Sequence, residues 1–305
     1  MATLRAIKRR IRSVKNISQV TRAMQMVAAS KMRRAQEQVL ATREYAEKAW
    51  ELLVHLASQP LDEGEPHPLL TPRPVQRTGL VLITSDKGLA GGYNHNIIRR
   101  AVQFIHQSPT PVELITVGRK GREFMLRLGM DIVAEFTDLP SQPRILDILP
   151  ISRVIIEDFE RGTFDEVYLA YTIFHTTMSY EPTVLRLLPI YRSAEFLAEA
   201  RSGILPSVFR HIGPVEGVQY VYEPNARLLL NTVVPRFTEL QVYQAILESL
   251  ASEHSARMVA MRSATDNALE MIDSLTVTYH RARQEAITKE ILDIAGGAEA
   301  LSKMR

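Results

Sequence analysis

Sixty consecutive residues near the carboxyl end, 236–295, contain neither proline nor glycine. As a single α-helix that run would extend roughly 90 Å at ~1.5 Å per residue, far more than the width of an ordinary domain. From His254 onward its inward positions are His254, Met258, Met261, Thr265, Ala268, Ile272, Leu275, Tyr279, Ala282 and Ala286. Alternating steps of four and three make a heptad seam, which predicts a left-handed coiled coil. A seam needs a second helix, and the neighbouring sequence holds none.

The helix breakers divide the chain into parts. All sixteen prolines fall between Pro60 and Pro235, and twelve of the fourteen glycines between Gly64 and Gly217. Both ends are therefore free for long helices, and the turn chemistry sits in the middle. Four segments follow: an N-terminal coiled-coil helix over 1–59, a linker over 60–76, an α/β globular domain over 77–224 and a C-terminal coiled-coil helix over 225–305. In the first of these Thr3 is a candidate cap, and Leu4, Ile7, Ile11, Val14, Ile17, Val20, Met24 and Val27 recur at three- and four-residue steps.

Charge is unevenly spread along the chain. The first 36 residues carry ten Lys or Arg and no acid, whereas 236–305 carries eight basic and ten acidic residues. A basic amphipathic N-terminus also describes a presequence, but the helical pattern runs past any plausible cleavage point. Nucleic-acid binding is a second reading, weakened by the lack of an aromatic before Tyr45 and by basic residues placed all round the helix. An acidic partner surface suits the run better than a merely solvated face. No stretch of eighteen apolar residues is present, so nothing in the chain reads as a transmembrane helix. The absence of cysteine excludes disulfides and thiolate chemistry.

The linker PLDEGEPHPLLTPRPVQ carries five prolines, and after it the periodicity changes. Residues 78–85, 112–117, 132–136, 166–176 and 183–190 read as strands, and 94–107, 118–128 and 145–160 as helices. Alternating strands and helices predict a Rossmann-like, mostly parallel, doubly wound sheet.

One motif in that domain suggests chemistry. Residues 85–94, SDKGLAGGYN, follow the first strand and precede a helix, where α/β folds bind phosphates. Gly88, Gly91 and Gly92 do not form G-x-G-x-x-G, and Lys87 precedes the glycines, so a tight strand-to-helix turn fits better. The eight histidines show no metal-ligand spacing, there is no G-x-S-x-G elbow, and Asp86 and Asp138 have no acid/base partner in sequence. The sequence thus offers no catalytic, cofactor or metal site. Residues 219–224, QYVYEP, fit an exposed contact patch and an edge strand equally well. A nucleotide-binding α/β protein with a coiled-coil oligomerisation device is the alternative that residues alone leave open.

The two ends carry a family resemblance. The stretch Ile287-Thr-Lys-Glu-Ile-Leu-Asp-Ile-Ala-Gly-Gly-Ala-Glu-Ala300 resembles the signature of the gamma subunit of F-type ATP synthases, with Ile287, Thr288, Glu290, Asp293, Gly297 and Ala298 in register. Similarity continues in RIRSVKNISQVTRAMQMVAASKMRR (10–34), in 85–94, in Tyr222-Glu-Pro224 and in LASEHSARMVAMRSATDN (250–267).

The resemblance implies that the terminal helices form an antiparallel coiled coil inside the alpha–beta hexamer. It places the α/β domain beside the epsilon subunit on the c-subunit ring. The chain would then be a non-catalytic rotor shaft that transmits torque between ring and catalytic head, coupling ATP synthesis to proton transport. It would be peripheral to the cell membrane on the cytoplasmic side. By the same resemblance Arg257, Gln284, Thr288 and Met24 contact beta subunits, and Tyr220, Tyr222 and Glu223 rest on the c ring. The cysteine pair of the chloroplast regulatory insertion is absent. The N-terminus starts at the family's first helix, which suits a bacterial or a processed mitochondrial chain.

Overall fold

The computed structural model describes residues 4–58, 67–190 and 226–303. Residues 59–66, 191–225 and the extreme termini lie outside that description, and with them Tyr220, Tyr222, Glu223 and part of the linker. Helix α1 spans Leu4–Ser58 and is followed by a 3-10 turn, Pro68–Leu70. Five strands follow: β1 (Thr78–Ile83), β2 (Val112–Val117), β3 (Ile132–Phe136), β4 (Glu166–Thr176) and β5 (Ser179–Leu188). Between the first four stand α2 (Tyr93–Gln107), α3 (Arg119–Arg127) and α4 (Ile145–Glu160), and α5 runs over Ala226–Lys303. The chain divides into two compact units, one of residues 1–27 with 258–305 and one of 28–257.

In the larger unit the sheet order is β3-β2-β1-β4-β5. Strands β1 to β4 are parallel and β5 returns antiparallel as a hairpin, so the mostly parallel sheet is as expected. Every residue of β1 is buried, the mark of a central strand covered on both faces. Alternate side chains serve different layers. Leu80, Leu82 and Leu114 pack with Ile97 and Ile98 of α2 and Met125 of α3. Val81, Ile83 and Ile115 join Ile151, Ile155 and Phe159 of α4 and the α5 residues Phe237, Ile246 and Leu247. Gly118 closes the turn from β2 into α3 at φ 95°, where a Cβ would overlap the carbonyl oxygen of Thr84. Only glycine accepts both the left-handed backbone and that approach.

Within this unit α5 is surrounded rather than laid on a surface. No residue from Phe237 to Arg257 is exposed. An amphipathic helix buries one stripe, so all-round burial means contacts on every side. Some of these contacts are polar. Pairing between β1 and β4 ends at Ala170, and two residues on α5 takes over from the missing strand. Ser249 Oγ accepts from the Thr172 amide at 3.3 Å and Ser252 Oγ donates to the Thr172 carbonyl at 3.3 Å. Further along, Tyr243 donates to the Pro143 carbonyl at 3.2 Å. Helix α5 begins earlier than the breaker rule implies and carries Pro235 inside it. There the missing N–H forgoes one backbone bond, and burial of Val234 and Phe237 on either side offsets that loss.

The smaller unit is a two-helix pair. Thr21 Oγ1 and Thr265 Oγ1 are 2.7 Å apart across it. Leu4 lies seventeen residues before Thr21, and Ala282, the last half-buried seam position of α5, seventeen after Thr265. Matching spans in opposite directions make the pair antiparallel. The α5 seam is the expected one: Met261, Thr265 and Ala268 are buried and Met258, Ile272, Leu275, Tyr279 and Ala282 half-buried, while Ala286, beyond the start of α1, is exposed.

The α1 seam differs from the apolar stripe read in sequence. Its buried or half-buried positions are Leu4, Ile7, Ile11, Val14, Ser18, Thr21 and Gln25, continuing in the larger unit as Ala28, Met32, Ala35, Val39, Thr42 and Ala46. That is an unbroken 3.5-residue repeat. Ile17, Val20 and Val27 are instead 52%, 58% and 57% exposed, because steps of three drift off the seam onto a neighbouring face. Val14→Ala should therefore lower unfolding stability in urea by about 1–2 kcal/mol. Ile17→Ala, although it removes more carbon, should stay within about 0.5 kcal/mol of the parent. Equal losses, or the reverse order, would contradict this seam.

Candidate functional site

In doubly wound sheets ligands bind beyond the carboxyl ends of the central strands. Here that place is occupied by the protein itself. The cleft beyond β1 and β2 has a volume of about 40 Å³ and is lined on one side by Ile246, Leu250 and Glu253 of α5. At roughly 10–15 Å³ per water molecule it holds a few waters, not a nucleotide. The candidate carboxylates serve the backbone. Asp86 accepts the amides of Arg119 and Asp138, each at 3.0 Å, and Asp138 pairs with the Arg119 guanidinium at 3.0 Å. Ser85 and Asn94 bond each other's side chains across the glycine-rich turn, with Asn94 Nδ2 donating to Ser85 Oγ at 2.7 Å. The 85–94 motif is thus a strand-to-helix turn. Among the described residues no cluster of three or more His, Asp or Glu is placed to hold a metal ion.

Beside this turn lies a charged group on α5. The Arg257 guanidinium meets the Glu253 carboxylate at 2.7 Å and His254 Nδ1 at 3.3 Å. It also donates to the carbonyls of Lys87 and Gly88 at 3.3 and 3.2 Å. Its side chain is 13% exposed and that of Glu253 11%. Burial pushes the Glu253 carboxyl above its ordinary range, and Arg257 opposes that shift. Burial, reinforced by the Arg257 and Lys31 cations, takes the His254 imidazole down to about 4. Because Nδ1 accepts from Arg257, the ring proton sits on Nε2, which is buried without a hydrogen-bond partner among the described residues. The i,i+4 spacing of Glu253 and Arg257 was a visible signal for their pair. The carbonyls that complete the group, about 170 residues upstream, were not.

The remaining site residues named from the resemblance lie on the smaller unit's surface. Met24 is half-buried; Gln284, Thr288, Glu290, Asp293 and Ala298 are exposed on α5, where Gly297 also lies within the helix, and Ile287 is exposed beside them. Ile291, Leu292 and Ile294 are exposed too. On α1, Arg5, Lys8, Arg9, Arg10, Arg12, Lys15 and Arg22 are all exposed, and no ion pair to a carboxylate is formed by them among the described residues.

A nucleotide cleft filled by its own helix, together with a cationic and partly apolar pair of helices, defines a shaft-type subunit that works through its surfaces. The comparisons agree. A family model described as ATP synthase matches residues 3–301. The ATP synthase gamma chain of Dehalococcoides mccartyi (strain CBDB1) is 49% identical over 99% of this chain and 100% of its own length. That of Roseiflexus sp. (strain RS-1) is 47% identical over the full length of both. The chain belongs to the ATP synthase gamma-chain family, the non-catalytic central-stalk rotor subunits of that complex.

Solved structures share its fold. A chain of the central stalk and c ring of Tetrahymena thermophila mitochondrial ATP synthase is 27% identical with a TM-score of 0.59, covering 80% of this chain and 99% of that one. A chain from the Euglena gracilis mitochondrial assembly of OSCP, F1 and c ring has a TM-score of 0.65 at 18% identity, covering 98% of this chain and 94% of that one.

His254 makes the larger unit acid-sensitive. Its pKa is 6.5 in the unfolded chain and about 4 when folded, so the unfolded state binds the extra proton. Stability from this group is therefore complete above pH 6.5 and is lost as pH falls toward 4. Urea unfolding of His254→Gln should show about 2–3 kcal/mol less loss between neutral pH and about pH 4.5 than the parent shows. Identical pH slopes in the two chains would refute the assignment.

Proposed function

We propose that residues 1–59 and 225–305 act as the shaft of a rotary motor and 77–224 as its foot, joined through the linker 60–76. In this reading the shaft enters the alpha–beta hexamer, while the foot rests on the c ring beside the epsilon subunit. The complex sits at the cell membrane with the chain on its cytoplasmic side, and ring rotation is driven by proton transport. Turning the shaft then takes identical catalytic sites through different conformations, because each state binds a different face of it. The chain makes and breaks no bonds itself.

The observation that carries this reading is the surface of the two-helix unit. Its seam is filled by its own side chains, apolar toward the ends and hydroxyl-bearing at Ser18, Thr21 and Thr265, while seven exposed cations on α1 lack a carboxylate partner among the described residues. A shaft must be held without lasting bonds. Long-range attraction between dispersed cations and acidic loops of a sleeve centres it without fixing one angle.

Arg257 and Gln284 are proposed as the pair that hydrogen-bonds beta-subunit loops, with exposed Thr288 as a further contact and half-buried Met24 as another. Tyr220, Tyr222 and Glu223 are proposed as the patch that meets the c ring. Co-expression with alpha and beta subunits should give one copy of the chain per hexamer. In that complex Gln284→Ala should cut ATP turnover about tenfold, the size expected from one lost hydrogen bond of ~1.4 kcal/mol, without changing the helical content of the isolated chain. Three copies per hexamer, or no complex, would end the rotor reading, and full turnover in Gln284→Ala would remove that contact.

A further inference from the structure

The Arg257 group is more enclosed than a partner-binding residue requires. Two nitrogens of one guanidinium serve four acceptors of the same chain: the Glu253 carboxylate, the His254 ring and two carbonyls of the turn after β1. The turn is itself an unusual piece of backbone. Leu89 is held at φ 62°, a left-handed conformation that a leucine adopts only at a cost of roughly 1 kcal/mol or more, and its side chain is largely exposed. Nothing gained by burying Leu89 holds that shape. It is held from the flanks, by Asp86 bonding the amides of Arg119 and Asp138 and by Ser85 Oγ donating to the Lys87 carbonyl at 2.7 Å. On the remaining side α5 meets the turn in two ways: Ala256 packs against buried Ala90 and Tyr93, and Arg257 supplies the hydrogen bonds, to the Lys87 and Gly88 carbonyls.

We infer that Glu253 and Arg257 are positioning residues that key α5 to the sheet: Glu253 aims the guanidinium, and its planar fork fixes the 85–92 turn against the helix. The serine bonds to Thr172 and the apolar contacts around Phe237 and Ile246 enclose α5 and hold it to the sheet, leaving small rotations about its own axis as the freedom that a further directional bond removes. Hydroxyl bonds to a strand end tolerate small rotations, and apolar packing is non-directional. A planar guanidinium whose Nη1 is held by Glu253 and His254 and whose Nη2 reaches two successive carbonyls does not tolerate them. The pair therefore sets the angular register in which the foot grips the helix that continues as the shaft. That last step rests on the rotor reading; the key itself does not.

Two measurements separate these levels. In the isolated full-length chain, Arg257→Met should raise amide hydrogen exchange across residues 86–92 by about tenfold, the effect of losing a charge-assisted bond pair, while β1 amides keep their protection. Arg257→Lys, which keeps the charge beside Glu253 but loses the fork, should raise it by less, and it answers the question if the methionine variant does not fold. Unchanged exchange in the turn overturns the key, since a residue serving only an external partner would leave the isolated chain as it was. In the assembled, membrane-reconstituted enzyme, Glu253→Gln should lower the number of protons pumped per ATP hydrolysed. A merely structural defect would reduce the amount of enzyme and leave that ratio alone. A loosened turn with an unchanged ratio overturns the torque role and leaves the rotor reading standing. Failure of the parent chain to assemble at all would sink the rotor reading and leave the exchange result intact.

Discussion

Everything else in the larger unit depends on the enclosure of α5 between Phe237 and Arg257. A helix held on one stripe can roll or peel; one buried on all sides moves only with its surroundings. The sheet contributes Ile83, Tyr171 and Leu185 to that enclosure and α4 contributes Ile155 and Phe159, all in one apolar cluster with α5. Because the helix ends the β1–β4 pairing by bonding Thr172, it also completes the sheet it leans on. The nucleotide cleft of the doubly wound fold disappears for the same reason: the side chains that lock the helix are the ones that fill it. Fold and family of chemistry part company here, as they often do in α/β domains.

The two-helix unit follows a different rule. Its seam is built from Ser18, Thr21, Gln25, Thr265 and Ala268 as much as from Ile7 and Met261, and a hydroxyl pair at 2.7 Å stands at its centre. A polar seam position costs stability and fixes register, which suits a helix pair that must not slip lengthwise. Further large apolar groups sit outside it, at Ile17, Val20 and Val27 on one helix and Ile291, Leu292 and Ile294 on the other.

Sequence alone made much of this visible, for physical reasons that can be named. The absence of breakers marks both long helices, continuous β-branched runs mark strands buried on both faces, and the α5 seam is apolar enough to be read by its period. The α1 seam was hidden because its middle positions are polar, whereas exposed Ile17, Val20 and Val27 imitate a core stripe. The breaker-free run starts only at Arg236, yet the helix expected over 225–305 does run through Pro235, carried by packing on both sides of it. Asp86 looked like a candidate acid; its partners are backbone amides, which leave no trace in sequence. The Arg257 group shows the same limit, since two of its four acceptors are carbonyls far away in the chain.

The central claim is that the chain is the part that turns within a fixed head. Since it contains no cysteine, Leu128→Cys, at an exposed position just past α3, provides a unique attachment point for a bead. With the alpha–beta hexamer fixed to a surface and ATP added, the bead should rotate steadily in one direction, at a rate that follows ATP concentration. A bead that only fluctuates about one angle while the same complexes hydrolyse ATP at full rate would contradict the account.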